Sequence, residues 1–318
     1  MSKEKLIPVI LDGDPGHDDA IAWMLAKASG RMDIRAVTAC AGNQTIEKTS
    51  YNAMRVCTLL GIDAPVAMGL PHGLLGDPVA APSVHGNSGL DGPALPEPAM
   101  ALSPLGAVEL MAEVLREAEG PVSIISTGPQ TNVAALLLAH PELKSKIGCI
   151  SLMGGGVQHG NWTPAAEFNI LTDPEAAETV FNSGIEIFMA GLDVTEKALI
   201  YPEDFARIRA AGNQVSQVVA DWLEFFYRFH KSLGYPGAPL HDPCAVAVLL
   251  RPEIFTVEDL KIEIETAGEY CRGATVADTR NTDPVKANAH CLMNVDRAAF
   301  ADMLLEAVKR FDGREVEL

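Results

Sequence analysis

Apolar runs of strand length recur along the chain, with stretches of helical period between them. Leu6–Leu11, Ile34–Cys40, Val122–Ser126, Cys149–Met153 and Ile185–Met189 are short unbroken apolar segments, the pattern of strands buried on both faces. Helical periodicity predicts helices over Asp18–Ser29, Ile46–Leu60, Ala107–Ala118, Asn132–Ala139, Pro174–Asn182, Val215–His230, Asp242–Leu250 and Arg297–Lys309. Strand and helix in alternation predict βαβ units and a largely parallel sheet. A late stretch, Leu260–Ala277, alternates in polarity and reads as an extension of the sheet or a small antiparallel addition. Gly69–Pro104 has no sustained period and is rich in Pro and Gly. A loop of that length in a compact domain is usually functional or disordered, and its His85-Gly86-Asn87-Ser88-Gly89-Leu90-Asp91-Gly92 run could fold over a site. The alternation continues past residue 150 without a linker, so one domain over residues 1–318 is expected.

The first strand runs into Asp12-Gly13-Asp14-Pro15-Gly16-His17-Asp18-Asp19. Ligands bind beyond the carboxyl ends of parallel strands, and this cluster lies at such an end. Capping a helix needs one carboxylate and not four; four repelling carboxylates call for a hard cation with oxygen ligands. The spacing does not fit a helix–loop–helix calcium site, whose fifth and twelfth positions would be Gly16 and Trp23. It does fit the strand-D-x-D start of a magnesium-dependent phosphatase of the haloacid-dehalogenase type, with Asp12 as nucleophile, although Asp18 and Asp19 then have no task.

Three further segments carry polar groups at strand or helix ends. In Pro239-Leu240-His241-Asp242-Pro243, the proline predicts Asp242 as an N-cap and leaves the His241 ring free to face a cleft. In Ser126-Thr127-Gly128-Pro129-Gln130-Thr131-Asn132, the turn can leave a carbonyl pointing at a ligand, with Thr131 or Asn132 capping the next helix. Met153-Gly154-Gly155-Gly156 is followed by Asn161, Glu167 and Asn169, three polar side chains suited to a polyhydroxylated ligand.

Composition narrows the partners. The chain has 318 residues and a formal net charge of −18, which opposes nucleic acid. Its six cysteines form no C-x-x-C pair. No leader-like stretch precedes the first strand, and no apolar run reaches the roughly 18 residues of a membrane span. A reduced, cytoplasmic location is the expectation.

Taken together, the segments resemble the inosine–uridine preferring nucleoside hydrolase family. The opening cluster is similar to its D-x-D-P-G-x-D-D signature, and Ala41-Gly42-Asn43, Thr127-Gly128-Pro129, Thr163 to Asn169, His241-Asp242-Pro243, Lys286-Ala287-Asn288-Ala289 and Val295-Asp296 follow in the family's order. The resemblance implies a single Rossmann-like α/β domain, consistent with the mostly parallel central sheet flanked by helices that the pattern predicts, to which Leu260–Ala277 adds a small strand-rich part near the C-terminus. It implies homodimers or homotetramers and hydrolysis of the N-glycosidic bond of a small-molecule ribonucleoside. One calcium ion would be held by Asp14, Asp19, Asp242 and the Thr127 carbonyl, with Asp14 also activating water. Asp18, Asn43, Asn161, Glu167 and Asn169 would hold the ribose, with Met153 beside it and Asp12 behind the network. His241, protonated, would assist the departing base; His85, from the long loop, could sit over the site. After Asp193-Val194-Thr195 the family often has a basic or His residue, where this chain has Glu196. Trp162 and the aromatic segment Phe225–Tyr235 could pack or line the base pocket. A non-catalytic nucleoside- or ribose-binding protein is the remaining alternative; a water-activating base argues against it.

Overall fold

The computed structural model describes residues 6–76, 80–280 and 286–312. Its strands are β1 (Ile7–Gly13), β2 (Met32–Ala39), β3 (Val66–Met68), β4 (Val122–Ser126), β5 (Ile147–Met153), β6 (Ile187–Ala190), β7 (Leu199–Ile200), β8 (Ala238–Pro239), β9 (Phe255–Ile264), β10 (Thr275–Asp278) and β11 (Ala289–Val295). Nine form one sheet in the order β10-β9-β11-β6-β5-β4-β1-β2-β3, and β7 pairs with β8 apart from it. Neighbours from β3 through β11 run parallel. At the other edge β9 lies antiparallel to both β11 and β10.

Burial on both faces explains the unbroken apolar strands. Val9 and Leu11 of β1 enter one core with the helices His17–Ala28, Pro243–Leu250 and Arg297–Lys309. Ile10 enters the other with Ala107–Glu117, Thr131–Ala139 and Pro174–Phe181. Such residues have no solvent side to alternate with. β1 lies between β2 and β4, so successive crossovers leave it in opposite directions. A crevice opens at that reversal, beyond the strand ends, where doubly wound sheets bind ligands.

The predicted elements are present with boundaries displaced by a few residues, and Ile46–Leu60 and Arg297–Lys309 fall where expected. The late alternating stretch is the antiparallel β9–β10 edge, with β9 beginning five residues earlier, at Phe255. Strands β3 and β11 and the helix Pro202–Arg209 were not anticipated. One cap was misplaced: Gln130, not Thr131 or Asn132, holds the N-cap position of its helix. Asp242 holds the expected N-cap position, in helical geometry and without a side-chain cap hydrogen bond. In the loop Gly69–Pro104, residues 77–79 lie outside the described residues; the rest is pinned inward, with Ala81 N–H donating to the Asn43 carbonyl and Asn52 Nδ2 to that of Ser88. No helix among the described residues is long and apolar enough to cross a membrane.

Helix Ile46–Leu60 ends at Gly61, whose φ of 63° lies in the left-handed region and whose N–H closes onto the Cys57 and Thr58 carbonyls. A Cβ there would meet nothing within 4 Å, so only backbone strain opposes it. Gly61→Ala should therefore cost about 1 kcal/mol, read as a lower denaturant midpoint at unchanged slope. An unchanged midpoint would show that this helix end tolerates another geometry.

Candidate active site

Five aspartates meet at the crevice. Asp12, the last side chain of β1 before Gly13, points into the protein. Its carboxylate accepts from Thr38 Oγ1 at 2.6 Å, Asn132 Nδ2 at 2.8 Å and Ser126 Oγ at 3.4 Å. Asn132 and its neighbour Thr131 are thus spent on Asp12 and Asp173, which is why neither caps the helix. Buried and fully engaged, Asp12 is not placed to attack a phosphate, and the phosphatase alternative loses its nucleophile.

The turn after β1 delivers Asp14. One of its oxygens, Oδ2, accepts from the Asn43 backbone N–H at 2.6 Å; the other, Oδ1, is buried without a partner. Close approach of backbone makes this possible: a Cβ on Gly42 would stand 2.1 Å from Asp14 Oδ2, and one on Gly128 2.6 Å from Oδ1. Asp18 and Asp19 occupy the first turn of the following helix, where free N–H groups favour anions. Asp19 Oδ2 accepts from Gly16 N–H at 2.9 Å and Oδ1 from Thr127 Oγ1 at 2.6 Å. Asp18 Oδ1 is buried and unpartnered. Asp242 arrives from the far end of the chain, and oxygens of Asp18, Asp19 and Asp242 lie within 4.8 Å of one another.

Burial is the leading cause that raises each of these acids. Asp12 is pushed up to about 6, and Asp18, with Asp19 beside it, to about 7. Asp14 and Asp242 are driven well up by burial and then by their charged neighbours, and Asp19 is raised as well. Three clustered carboxylates, orphaned oxygens on Asp14 and Asp18 and a nearby main-chain carbonyl form an all-oxygen donor set, which suits a hard divalent ion. The Thr127 carbonyl already accepts from Asn169 Nδ2 at 2.8 Å, and a carbonyl oxygen has a second lone pair to offer.

An open pocket leads away from the acids. Asp18, Asn43, Thr127, Met153, Asn161, Glu167, Asn169 and Asp242 line it on the carboxylate side. Glu167 caps the helix Phe168–Thr172 and accepts from the N–H groups of Gly155, Asn169 and Ile170. Asn161 Oδ1 accepts from Phe168 N–H at the exposed mouth. His85 and His241 line the pocket too. His85 ends the short helix Pro82–His85, with its Nδ1 3.1 Å from that of His17. The Nδ1 of His241 lies 2.8 Å from Thr195 Oγ1.

One expectation needs correcting. Burial, followed by the charge of His230, lowers His241 to about 3; burial also lowers His85 well below the usual range. Both rings are neutral at neutral pH, so neither is a standing imidazolium. Sequence reading also missed His17, buried and stacked between His85 and Phe225 at 5.3 and 5.0 Å. It left the aromatic segment undecided: Phe226, Phe229, His230 and Tyr235 all line the pocket. Trp162 does too, packed edge-on against Phe168 at 4.8 Å.

A doubly wound sheet with a polar pocket at its switch point defines an α/β enzyme that works beyond its strand ends. The model of the family described as inosine-uridine preferring nucleoside hydrolase matches residues 9–302, and the chain belongs to that family. It is 56% identical over 306 residues, 95% of this chain and 98% of the relative, to the pyrimidine-specific ribonucleoside hydrolase RihA of Escherichia coli O127:H6. The protein of the same description from Escherichia fergusonii matches to the same extent. Among solved structures, the purine-preferring ribonucleoside hydrolase from Gardnerella vaginalis superposes with a TM-score of 0.89 at 30% identity, covering 95% of this chain and 98% of that one. A plant nucleoside hydrolase gives 0.88 at 28%, covering 96% and 99%. The protein is accordingly a ribonucleoside hydrolase.

The raised acids tie stability to pH. Asp18 has an ordinary value of 3.8 and a folded value of about 7. Without a cation, the stability contributed by its bound proton is fully present below the unfolded value and is lost as pH rises through the folded one. In chelator, the melting temperature should fall from pH 5 to pH 8. Added calcium or magnesium should raise it more at pH 8 than at pH 5, because ion binding displaces protons. A melting temperature indifferent to both would overturn the cation-holding reading of the cluster.

Proposed function

We propose that the protein cleaves the N-glycosidic bond of pyrimidine ribonucleosides, releasing ribose and free base, with one calcium ion held by Asp14, Asp19, Asp242 and the Thr127 carbonyl. One observation carries the reading. Asp14 keeps a carboxylate oxygen buried and unpartnered, beside clustered acids next to an open pocket. A dedicated buried acceptor with no protein donor is placed for something that arrives with substrate. The pyrimidine preference is taken from the relative that is 56% identical.

When bound, the ion supplies positive charge that acidifies water and ligates sugar hydroxyls. Breaking a ribosyl–nitrogen bond builds positive character on the sugar and negative charge on the base, so a base is needed on one face and charge relief on the other. Asp14 Oδ1 takes the proton from the attacking water. Asp18, whose Oδ1 is also free, accepts from a ribose hydroxyl. Asn43, Asn161, Glu167 and Asn169 hold the others, and Met153 packs on the sugar. Asp12 keeps its charge away from the substrate and fixes the strand end through Thr38, Ser126 and Asn132. His241 and His85, as neutral rings, stabilise the departing base by hydrogen bonding, without an imidazolium in the resting enzyme.

The remaining expectations belong to the same reading. Six free cysteines, all but Cys271 buried, suit a reducing compartment such as the cytoplasm. A homodimer or homotetramer is proposed from the family resemblance, with no nucleic-acid or membrane partner.

Asp14→Asn should cut kcat/KM for uridine by roughly a thousandfold while the protein still melts cooperatively. The wild type should lose activity in chelator and recover it with calcium. 2′-Deoxyuridine should be a poor substrate, since it lacks a hydroxyl for Asp18 to hold. Near-normal turnover by the folded variant would remove Asp14 from the role of base.

A further inference from the structure

Around Glu196, the pocket is walled by groups whose protons are already committed. Glu196 follows the short helix Leu192–Thr195, and Tyr235 follows the long helix Gln214–Ser232; both line the pocket. Tyr235 donates its hydroxyl proton to Glu196 Oε1 at 2.8 Å. Burial and this bond raise the phenol's pKa, so the proton stays. His159 Nε2 lies 3.1 Å from Glu196 Oε2; a carboxylate only accepts, so the ring donates. His230 faces the Phe226 carbonyl through Nδ1 at 3.1 Å. A carbonyl also only accepts, so Nδ1 carries the hydrogen. Burial lowers His230 to about 4, so the ring is neutral and its Nε2 is a bare lone pair. Lone pairs are what this wall has left: on the Glu196 carboxylate, on the Tyr235 oxygen and on His230 Nε2.

We infer that Glu196 makes this wall select nucleosides whose base carries an exocyclic amino group, and so cytidine over uridine. This rests on the hydrolase reading of the pocket and deepens it. Cytosine presents an amino group with two hydrogens at the edge where uracil presents a carbonyl oxygen. A carboxylate accepts from that amino group, as it does when acidic side chains read cytosine. Against uracil it meets a second acceptor, and neither group is satisfied. Uracil's single edge donor, its ring N–H, is flanked by two carbonyl oxygens that repel an approaching carboxylate. Two of the carboxylate's four lone-pair positions are used by Tyr235 and His159, which orient it and leave others for the base.

The test is a ratio within each enzyme preparation: kcat/KM for cytidine over kcat/KM for uridine, in the calcium-loaded full-length protein and in Glu196→Gln. A hydrogen bond to a charged group is strong enough to give the wild type a ratio of about ten or more. In Glu196→Gln the amide can turn an N–H toward the uracil carbonyl, and the ratio should fall to within about threefold of one. A partly misfolded variant loses both substrates in proportion and cannot mimic that collapse. A wild-type ratio near or below one, or a ratio unchanged in Glu196→Gln, overturns the selection by Glu196 and leaves the hydrolase reading intact. Failure of the wild type to hydrolyse either nucleoside overturns the hydrolase reading and this inference with it.

Discussion

Crowding of carboxylates at one strand end governs the site. Asp18, Asp19 and Asp242 lie within 4.8 Å of one another, with Asp14 against the same group. Two like charges about 4 Å apart repel by about 4 kcal/mol at an effective dielectric near 20. A hydrogen bond to a charged group returns about 1.5–3 kcal/mol, and Asp14 and Asp18 each keep an oxygen that receives none. The donors present cannot offset several such repulsions together. Either protons or a cation must, and without a cation burial and mutual repulsion drive Asp14 and Asp242 well above the usual carboxylate range. The surroundings are arranged for that occupancy. Gly42 and Gly128 omit the side-chain atoms that would collide with Asp14, and Asn169 steadies the carbonyl of Thr127.

The same constraint explains Asp12. Left free, a fifth carboxylate would add to the repulsion. Thr38, Ser126 and Asn132 instead surround it with donors on the inner side of β1, and it rises only to about 6. These partners come from β2, β4 and the helix Thr131–Ala139. The bonds that neutralise Asp12 therefore also lock β1 to both of its neighbours at the point where the sheet reverses.

What could be read in the chain beforehand divides along physical lines. Strands such as Ile147–Met153 were legible because burial on both faces writes an unbroken apolar run. The aspartate cluster was legible because it is local and has no adequate structural use. Short strands failed: Val66–Met68 has three residues, too few for a period. Asp242 was legible as an N-cap because Pro243 follows it; that its carboxylate turns to Asp18 and Asp19 and not to the helix N–H groups is set by tertiary packing. His241 was assigned a proton from its ordinary titration, and burial takes that proton away. His17 carries no local signal, since its partners His85 and Asp91 lie 68 and 74 residues away.

The groups in and beside the pocket rest on different parts of the fold, with consequences for substrate choice. Asp14, Thr127 and Met153 sit at or just beyond the carboxyl ends of three parallel strands, which hold them in fixed register. His85, Glu196, His230 and Tyr235 come from a long loop, a helix of four residues and the far end of a nineteen-residue helix. Side chains there can change without disturbing the sheet register that positions the acids. Relatives of this fold accordingly carry opposite descriptions, purine-preferring at a TM-score of 0.89 and pyrimidine-specific at 56% identity. In the proposed reading, a shared sheet positions the sugar chemistry and leaves the base to a handful of loop and helix-end residues. In this chain the donors of Tyr235 and His159 are spent on Glu196. At Glu196, the inferred selection then turns on which donors the substrate itself brings.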